Sequence, residues 1–288
     1  MTGGGDRYDR QIRLFGAEGQ AKLRKTSVAL PGVGGVGSAV AQHLALLGVG
    51  HVFTIEPEDL DETNRNRFIG ARRDDLVPGS PKAMLAARMI EEINPEVGIT
   101  EIRAGLVSAE AFEAIKKADW VIGSFDHDGP RFILNELCAA YCKPYIDVAA
   151  DVPEPGVYGG RVCVSIGGNG CLYCLDELDM KAVQDYLSSE TERKAIDAIY
   201  GIDRDALDDK GPSVSPVNAV VAGLATTEFM AAVTGLRGPV RLINYRGHLS
   251  TVTVSRDEPD PNCPYCKGIR GLGAEADVDR YLRMSHLV

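Results

Sequence analysis

The chain predicts an α/β protein with a Rossmann-like, doubly wound parallel sheet continued by a smaller antiparallel sheet. Three observations carry that expectation. Residues 26–56 read as strand, glycine turn, helix and strand, with Gly32, Gly34 and Gly37 spelling G-x-G-x-x-G across the turn. Strand and helix patterns then alternate to about residue 150, as parallel strands joined by helical crossovers do. Beyond residue 150 the apolar period shortens to two and a hairpin pattern follows, which fits antiparallel strands. The chain divides accordingly into an N-terminal arm and helix (1–25), a Rossmann-like nucleotide-binding region (26–150) and an antiparallel extension (151–288), all within one compact unit.

Composition bounds the function classes. At 288 residues, with 44% hydrophobic and 25% charged residues, the chain is long enough for a sizeable core and ordinary in its balance. A net charge of −10 and a pI of about 5.1 argue against nucleic acid or an anionic membrane as the main partner. No segment is read as reaching the apolar length of a membrane span. The first six residues lack the apolar core of a signal peptide, so the expected location is cytoplasmic.

Taken in order, residues 1–5 form a glycine-rich tail expected to be disordered. Arg7, Arg10 and Arg13 follow, anchored by Ile12, Leu14 and Phe15; on residues alone this is a solvated basic helix end. A short helix over 18–25 leads into strand 27–31, apolar on both faces as a central parallel strand requires. Helix 36–48 carries Val36, Val40, Leu44 and Leu47 on one face and ends at Gly48 and Gly50. Its N-terminus, from about Gly35, offers unpaired N–H groups to an anion. Glu56 ends strand 51–56, placed to accept hydrogen bonds from a ribose diol.

The stretch 56–68 is dense in polar groups, among them Glu58, Asn64 and Arg67, and lies past the carboxyl end of a strand, the edge that lines the ligand crevice in an open α/β sheet. Lys82 opens helix 82–93 directly after Pro81. Strand 97–103, helix 108–117 and strand 119–123 continue the alternation. Asp126 follows the last of these, again at a carboxyl end, and helix 130–142 carries Arg131 and Asn135 one turn apart. Strand 145–149 is the last clear parallel strand. A strand over 157–166, a polar stretch over 176–213, an Ala- and Val-rich helix at about 216–234 and a hairpin over 240–254 around Gly247 complete the extension. The tail 274–288 reads as a short packing helix with Val278, Tyr281 and Leu282 on one face.

Two C-x-x-C pairs, Cys171/Cys174 and Cys263/Cys266, stand far apart in sequence. Four thiolates fill a tetrahedral zinc ion and leave no open position, so the expected role is a structural staple. The competing reading is a redox dithiol, which normally opens a helix near a βαβ unit; neither pair is read as doing so. Cys138, Cys142 and Cys163 remain, expected to be buried and inert.

With these residues in order, nearly the whole chain (7–268) resembles the E1-like (ThiF/MoeB/HesA) adenylyltransferase family, and the MoeB type is the nearest in length and layout. The resemblance rests on Arg-Tyr-Asp-Arg-Gln at 7–11, the turn at 32–37, Glu56, Asn64 with Arg67, Pro81-Lys82, Asp126 with Arg131, and both C-x-x-C pairs. It implies activation of a carboxylate, usually the C-terminal glycine of a ubiquitin-like or sulfur-carrier protein, by attack on the α-phosphate of ATP-Mg²⁺. Lys82 and Arg67 are then implied as phosphate cations, Asn64 as an orienting group, Asp126 as the Mg²⁺ ligand and Glu56 as the ribose acceptor. Gly32, Gly34, Gly35, Gly37, Glu58 and Arg131 fall to nucleotide binding. The resemblance also implies that Arg10 reaches the phosphates of a neighbouring subunit, hence a homodimer. The family usually has Asp where Glu56 stands, and Asn is frequent where His127 stands. Members that form an enzyme-linked thioester carry a cysteine in a crossover loop, which falls here at about 176–215. That stretch has none, so adenylation without a thioester is expected. Three alternatives stay open: a peptide or small-molecule carboxylate as substrate, a nicotinamide-dependent dehydrogenase, and a non-catalytic module that binds a ubiquitin-like tail.

Overall fold

The computed structural model describes residues 7–189 and 212–287. The glycine-rich tail and most of the polar stretch expected to form a crossover loop lie outside the described residues. Five strands pair in parallel: β1 (Ser27–Pro31), β2 (His51–Ile55), β3 (Gly98–Ile102), β4 (Trp120–Gly123) and β5 (Tyr145–Glu154). Three more continue antiparallel from β5, namely β6 (Val157–Ser165), β7 (Leu242–Arg246) and β8 (Thr251–Val254). Together they form one eight-stranded sheet in the order β3-β2-β1-β4-β5-β6-β7-β8. The change of character falls within β5, whose first residues pair with β4 while its whole length pairs with β6. The order reverses between β1 and β4, and at such a switch point a crevice opens at the carboxyl ends of the strands.

Helices cover both faces. On one lie α2 (Gly35–Leu47), α3 (Lys82–Ile93) and α7 (Ser215–Thr234), whose Leu44, Leu85, Ile90, Val221 and Phe229 pack with Leu30, Val52, Ile122 and Val162 of the sheet. On the other lie α4 (Ala109–Lys117), α5 (Asp128–Ala140) and α6 (Met180–Leu187), with Phe112, Ile133, Leu137 and Val183 against Ala29, Val121 and Tyr145. Local signals set the element ends. Gly48 caps α2 in the left-handed region at φ 71°, the Ser108 hydroxyl accepts the Ala111 N–H at 3.2 Å to start α4, and Pro216 opens α7.

Three expectations are corrected. The helix expected over 18–25 is the second half of α1 (Asp9–Lys25), interrupted at Gly16 where φ is 76°. The basic cluster is therefore the first turn of a longer helix. Second, one segment does reach membrane-spanning length: α7 has 20 residues and a mean hydropathy of 1.4. It packs as a core helix against α2, β5 and β6, with 56% of its apolar window buried, and its buried Glu228 pairs with Arg237 at 2.5 Å. Third, the tail forms 3₁₀ turns at Gly273–Ala276 and Val278–Arg283 rather than an α-helix. Its packing role holds, since Val278 and Tyr281 are buried and the Tyr281 hydroxyl donates to Glu136 of α5 at 2.6 Å.

Candidate active site

The glycine turn occupies the switch point. Gly32 leaves β1 at φ +83°, a conformation that disfavours any side chain, and its carbonyl accepts the Ser124 hydroxyl at 2.6 Å from the end of β4. At Gly37 a Cβ would lie 2.1 Å from the Gly32 carbonyl oxygen, so only glycine lets α2 start this close to the turn. Around Gly34 the space is open, which leaves its backbone free for approach by a ligand. The N-terminus of α2 therefore points its unpaired N–H groups into the crevice.

Glu56 is more tightly held than its position predicts. One carboxylate oxygen accepts the Val33 N–H at 2.9 Å and the other the Glu58 N–H at 3.0 Å. The carboxylate thus braces the glycine turn against the exit of β2. Burial raises its pKa, offset in part by those two backbone bonds and by Lys82. A carboxylate has about four acceptor sites, so capacity remains for hydroxyl donors.

Two backbone links bring Lys82 to the same edge: Leu60 N–H to Ser80 O at 2.8 Å and Lys82 N–H to Glu58 O at 3.0 Å. Lys82 is buried, and its ammonium donates to the Glu58 carboxylate at 2.5 Å. Asn64 closes a capping box with Asp61, accepting the Asp61 N–H at 3.1 Å. That turn directs Arg67 back over α2. A Cβ built at Gly35 would lie 3.1 Å from the Arg67 side-chain stem, so the arginine rests on the glycine turn while its guanidinium donates to the Thr63 carbonyl.

Asp126 stands just beyond β4 with a side chain that is 90% exposed. Arg131 lies below that loop, not in the open crevice. It is buried, and it donates to the Phe125 carbonyl at 2.5 Å and to Asp128 at 3.0 Å. Arg10 is not brought to this site within one chain. It sits on the exposed first turn of α1, beside Tyr8, whose hydroxyl accepts from Asn94 at the far end of α3. Lys82 opens that same helix, a span of about 18 Å away.

The four cysteines of the two pairs converge. Their sulfurs lie within 4.8 Å of one another, with separations of 3.9 Å for Cys171–Cys174, 3.7 Å for Cys171–Cys263 and 3.8 Å for Cys174–Cys266. Thiolates about 2.3 Å from a tetrahedral zinc ion sit about 3.8 Å apart, so the donor set fits that metal. Burial pushes the Cys171 thiol up to about 12, and clustered thiolates in such a place need a cation. Two expectations are corrected here: Cys263 does open a helical turn, the π-turn Pro264–Ile269, and Cys142, just past the end of α5, is exposed, whereas Cys138 and Cys163 are buried as expected. The cluster packs on α5 through Leu172 N–H to Asn135 Oδ1 at 3.2 Å and the edge contact of Tyr265 with Phe132.

Two groups near the site escaped sequence reasoning. Asn218 of α7 is buried against Gly35, where a Cβ would meet its amide at 2.4 Å. Asp147 lies in β5 with no exposure at all. A lone acid within Tyr-Ile-Asp-Val-Ala was the available signal for it.

Comparison with known proteins shows an enzyme of the E1-like adenylyltransferase class. The chain belongs to the ThiF family, whose model matches residues 8–265. It is 29% identical over 265 residues to the vegetative HesA protein of Trichormus variabilis, covering 91% of this chain and 89% of that one. It is 33% identical over 143 residues to the sulfur carrier protein adenylyltransferase of Thermus thermophilus, covering 49% of this chain and about half (52%) of that one. The crystal structure of E. coli MccB with MccA-N7isoASN superposes with a TM-score of 0.71 at 23% identity, over 91% of this chain and 75% of that one, a likeness of fold.

Proposed function

We propose that the protein binds ATP-Mg²⁺ and activates a carboxylate, the C-terminal glycine of a ubiquitin-like or sulfur-carrier protein, as an acyl adenylate. A carboxylate oxygen attacks the α-phosphorus, the bond from that phosphorus to the bridging oxygen breaks, and pyrophosphate leaves. The observation that carries this reading is the gathering of Lys82, Arg67 and Asn64 with Glu56 and Asp126 around the glycine turn at one sheet edge. Phosphoryl chemistry of this kind asks the protein for positioned cations and in-line geometry rather than for covalent participation. A dinucleotide site explains none of these cations.

In this reading the N–H groups of Gly34, Gly35 and Gly37 and the Arg67 guanidinium receive phosphate oxygens. Lys82 exchanges its Glu58 partner for the triphosphate, and Glu56 accepts the ribose hydroxyls. Asp126 supplies the hard carboxylate oxygen that Mg²⁺ prefers; the metal, when bound, neutralises charge on the departing pyrophosphate. Arg10 serves the neighbouring subunit of a homodimer, which accounts for its distance from the site of its own chain. Cys171, Cys174, Cys263 and Cys266 hold a structural Zn²⁺, and the reduced thiols suit a cytoplasmic setting.

No thioester on the enzyme is part of the reaction. The stretch 176–215 has no cysteine, and Cys163 is 1% exposed with its thiol pushed up by burial. The sulfur carrier protein adenylyltransferase among the relatives supports a protein substrate. ATP–pyrophosphate exchange with a Gly-Gly-terminated sulfur carrier protein tests the reading, with a Gly-Gly peptide as a second arm. Exchange with the protein supports it, exchange with the peptide alone moves the substrate class to peptides, and ATP binding without exchange in either arm favours a non-catalytic module.

A further inference from the structure

The geometry points to Asp147 as a positioning residue for the Asp126 loop: its buried carboxylate holds Arg131, and Arg131 holds the backbone from which Asp126 projects. This rests on the adenylation reading above. Asp147 pairs in register with Gly123, the last residue of β4, three positions before Asp126. It is fully buried within a strand that is otherwise apolar at that end. One carboxylate oxygen accepts the Tyr145 hydroxyl at 2.9 Å and lies 3.7 Å from the Arg131 Nε. The other faces the Arg161 guanidinium at 3.9 Å and receives no hydrogen bond from the described residues. A carboxylate this deep is expensive unless opposite charge offsets it, and two guanidiniums face it.

The same Arg131 fork reaches forward to the loop. It donates to the Phe125 carbonyl at 2.5 Å and to the Asp128 carboxylate at 3.0 Å, so both flanks of Asp126-His127 hang on one guanidinium. The second oxygen of Asp128 accepts the Asp179 N–H at 2.8 Å, where α6 begins. Tyr186 of α6 closes over Gly129, where a Cβ would lie 2.2 Å from its ring. Asp126 itself is open to solvent, and among the described residues its carboxylate meets a basic group only at His127, 3.8 Å away. Its placement therefore follows the backbone, which Ser124 ties to the glycine turn on one side and which Arg131, ion-paired with Asp147 at 3.7 Å without a hydrogen bond, holds at Phe125 and Asp128. Asp147→Asn keeps the shape and removes the charge that faces Arg131. Arg131→Lys keeps the charge and removes the fork.

Two measurements separate this role from a purely structural one. The first is hydrogen exchange of the 124–129 segment in the unliganded protein. The second is Mn²⁺ affinity, read by electron paramagnetic resonance with a non-hydrolysable ATP analogue. Glu136→Gln is the control, because Glu136 is a buried acid of the same helix that anchors the C-terminal tail instead of the loop. Asp147→Asn and Arg131→Lys should speed exchange of 124–129 and weaken Mn²⁺ binding by about 10- to 100-fold, as loss of a partner behind a metal ligand does. Glu136→Gln should loosen 273–287 and leave both readouts unchanged. Folded Asp147→Asn or Arg131→Lys protein with wild-type exchange at 124–129 overturns the proposal, as does an equal effect of Glu136→Gln on that segment. If wild-type protein binds no Mn²⁺ with the analogue, the adenylation reading fails, while the exchange rates still decide whether Asp147 positions the loop.

Discussion

The Lys82 ammonium lies 2.5 Å from the Glu58 carboxylate, with the lysine side chain 6% exposed and the glutamate 65% exposed. The pair is asymmetric: the cation is desolvated and held in place, while its partner stays in water. Lys82→Ala therefore leaves behind a glutamate that solvent can accommodate, and thermal stability should fall by no more than about 1–2 kcal/mol. ATP–pyrophosphate exchange should fall on the order of a hundredfold or more, because a preorganised charge is removed from the developing phosphate. Loss of stability without loss of exchange would remove Lys82 from the site.

Gly35 tests how closely the turn, Arg67 and Asn218 are fitted. A Cβ at this position meets the Asn218 amide at 2.4 Å and the Arg67 stem at 3.1 Å. Gly35→Ala should destabilise by about 1–3 kcal/mol, the usual range for overpacking, and raise the KM for ATP as Arg67 is displaced. Equilibrium unfolding and steady-state kinetics on one preparation read both effects. An unchanged KM in a destabilised protein would mean that Arg67 does not contact the nucleotide.

The segment that carries Arg67 is tied down by Asp75 and Arg88, which meet in a two-pronged contact at 2.6 and 2.8 Å. The guanidinium holds the Asp75 pKa down to about 2 from an ordinary 3.8. A depressed carboxylate pKa contributes stability that is present above the unfolded value and is lost as pH falls through the folded one. Asp75→Asn should therefore cost about 2 kcal/mol at pH 7. The gap between variant and wild type should narrow as pH falls below about 4 and close near 2. A gap independent of pH in denaturant titrations would contradict the assignment.

The cysteine cluster predicts zinc in the purified protein, measurable by elemental analysis. Cys266→Ser should lower zinc content and destabilise on the order of 4 kcal/mol, the scale on which loss of a structural metal acts. Zinc-free wild-type protein of unchanged stability would leave the cluster as reduced thiols.

The trans role of Arg10 predicts complementation. Arg10→Ala and Lys82→Ala homodimers should each be nearly inactive. Mixed after subunit exchange, they should regain part of the wild-type rate, since one site in a mixed dimer draws all its groups from intact positions. No recovery in a mixture shown to contain heterodimers would confine Arg10 to its own chain.

What was legible in sequence was what short-range geometry dictates. The glycine spacing marks a turn that excludes side chains, Glu56 and Asp126 fall at strand ends by simple counting, and the helix start at Lys82 follows from Pro81. The two C-x-x-C pairs announced a shared cluster because tetrahedral thiolate coordination has few other sequence forms. What was hidden depends on the tertiary path. Gly16 interrupts α1 without ending it, so the arginine cluster was detached from its helix. The bounds of α7 were legible at 216–234, but not that its apolar run reaches membrane-spanning length; tertiary packing, with Glu228 paired to Arg237, makes it a core helix. The family resemblance implies a nucleotide-binding role for Arg131. Its direction, down toward Asp147, is fixed by a strand that lies beside β4 in space and sixteen residues away in the chain.

The central claim is most directly tested by incubating the protein with ATP, Mg²⁺ and a Gly-Gly-terminated sulfur carrier protein, and reading pyrophosphate release and intact mass together. The account predicts stoichiometric pyrophosphate and a carrier that gains AMP at its C-terminal carboxyl group, with no mass added to the enzyme. Nucleotide-dependent mass on an enzyme cysteine, or pyrophosphate release without an adenylated carboxylate, would contradict it.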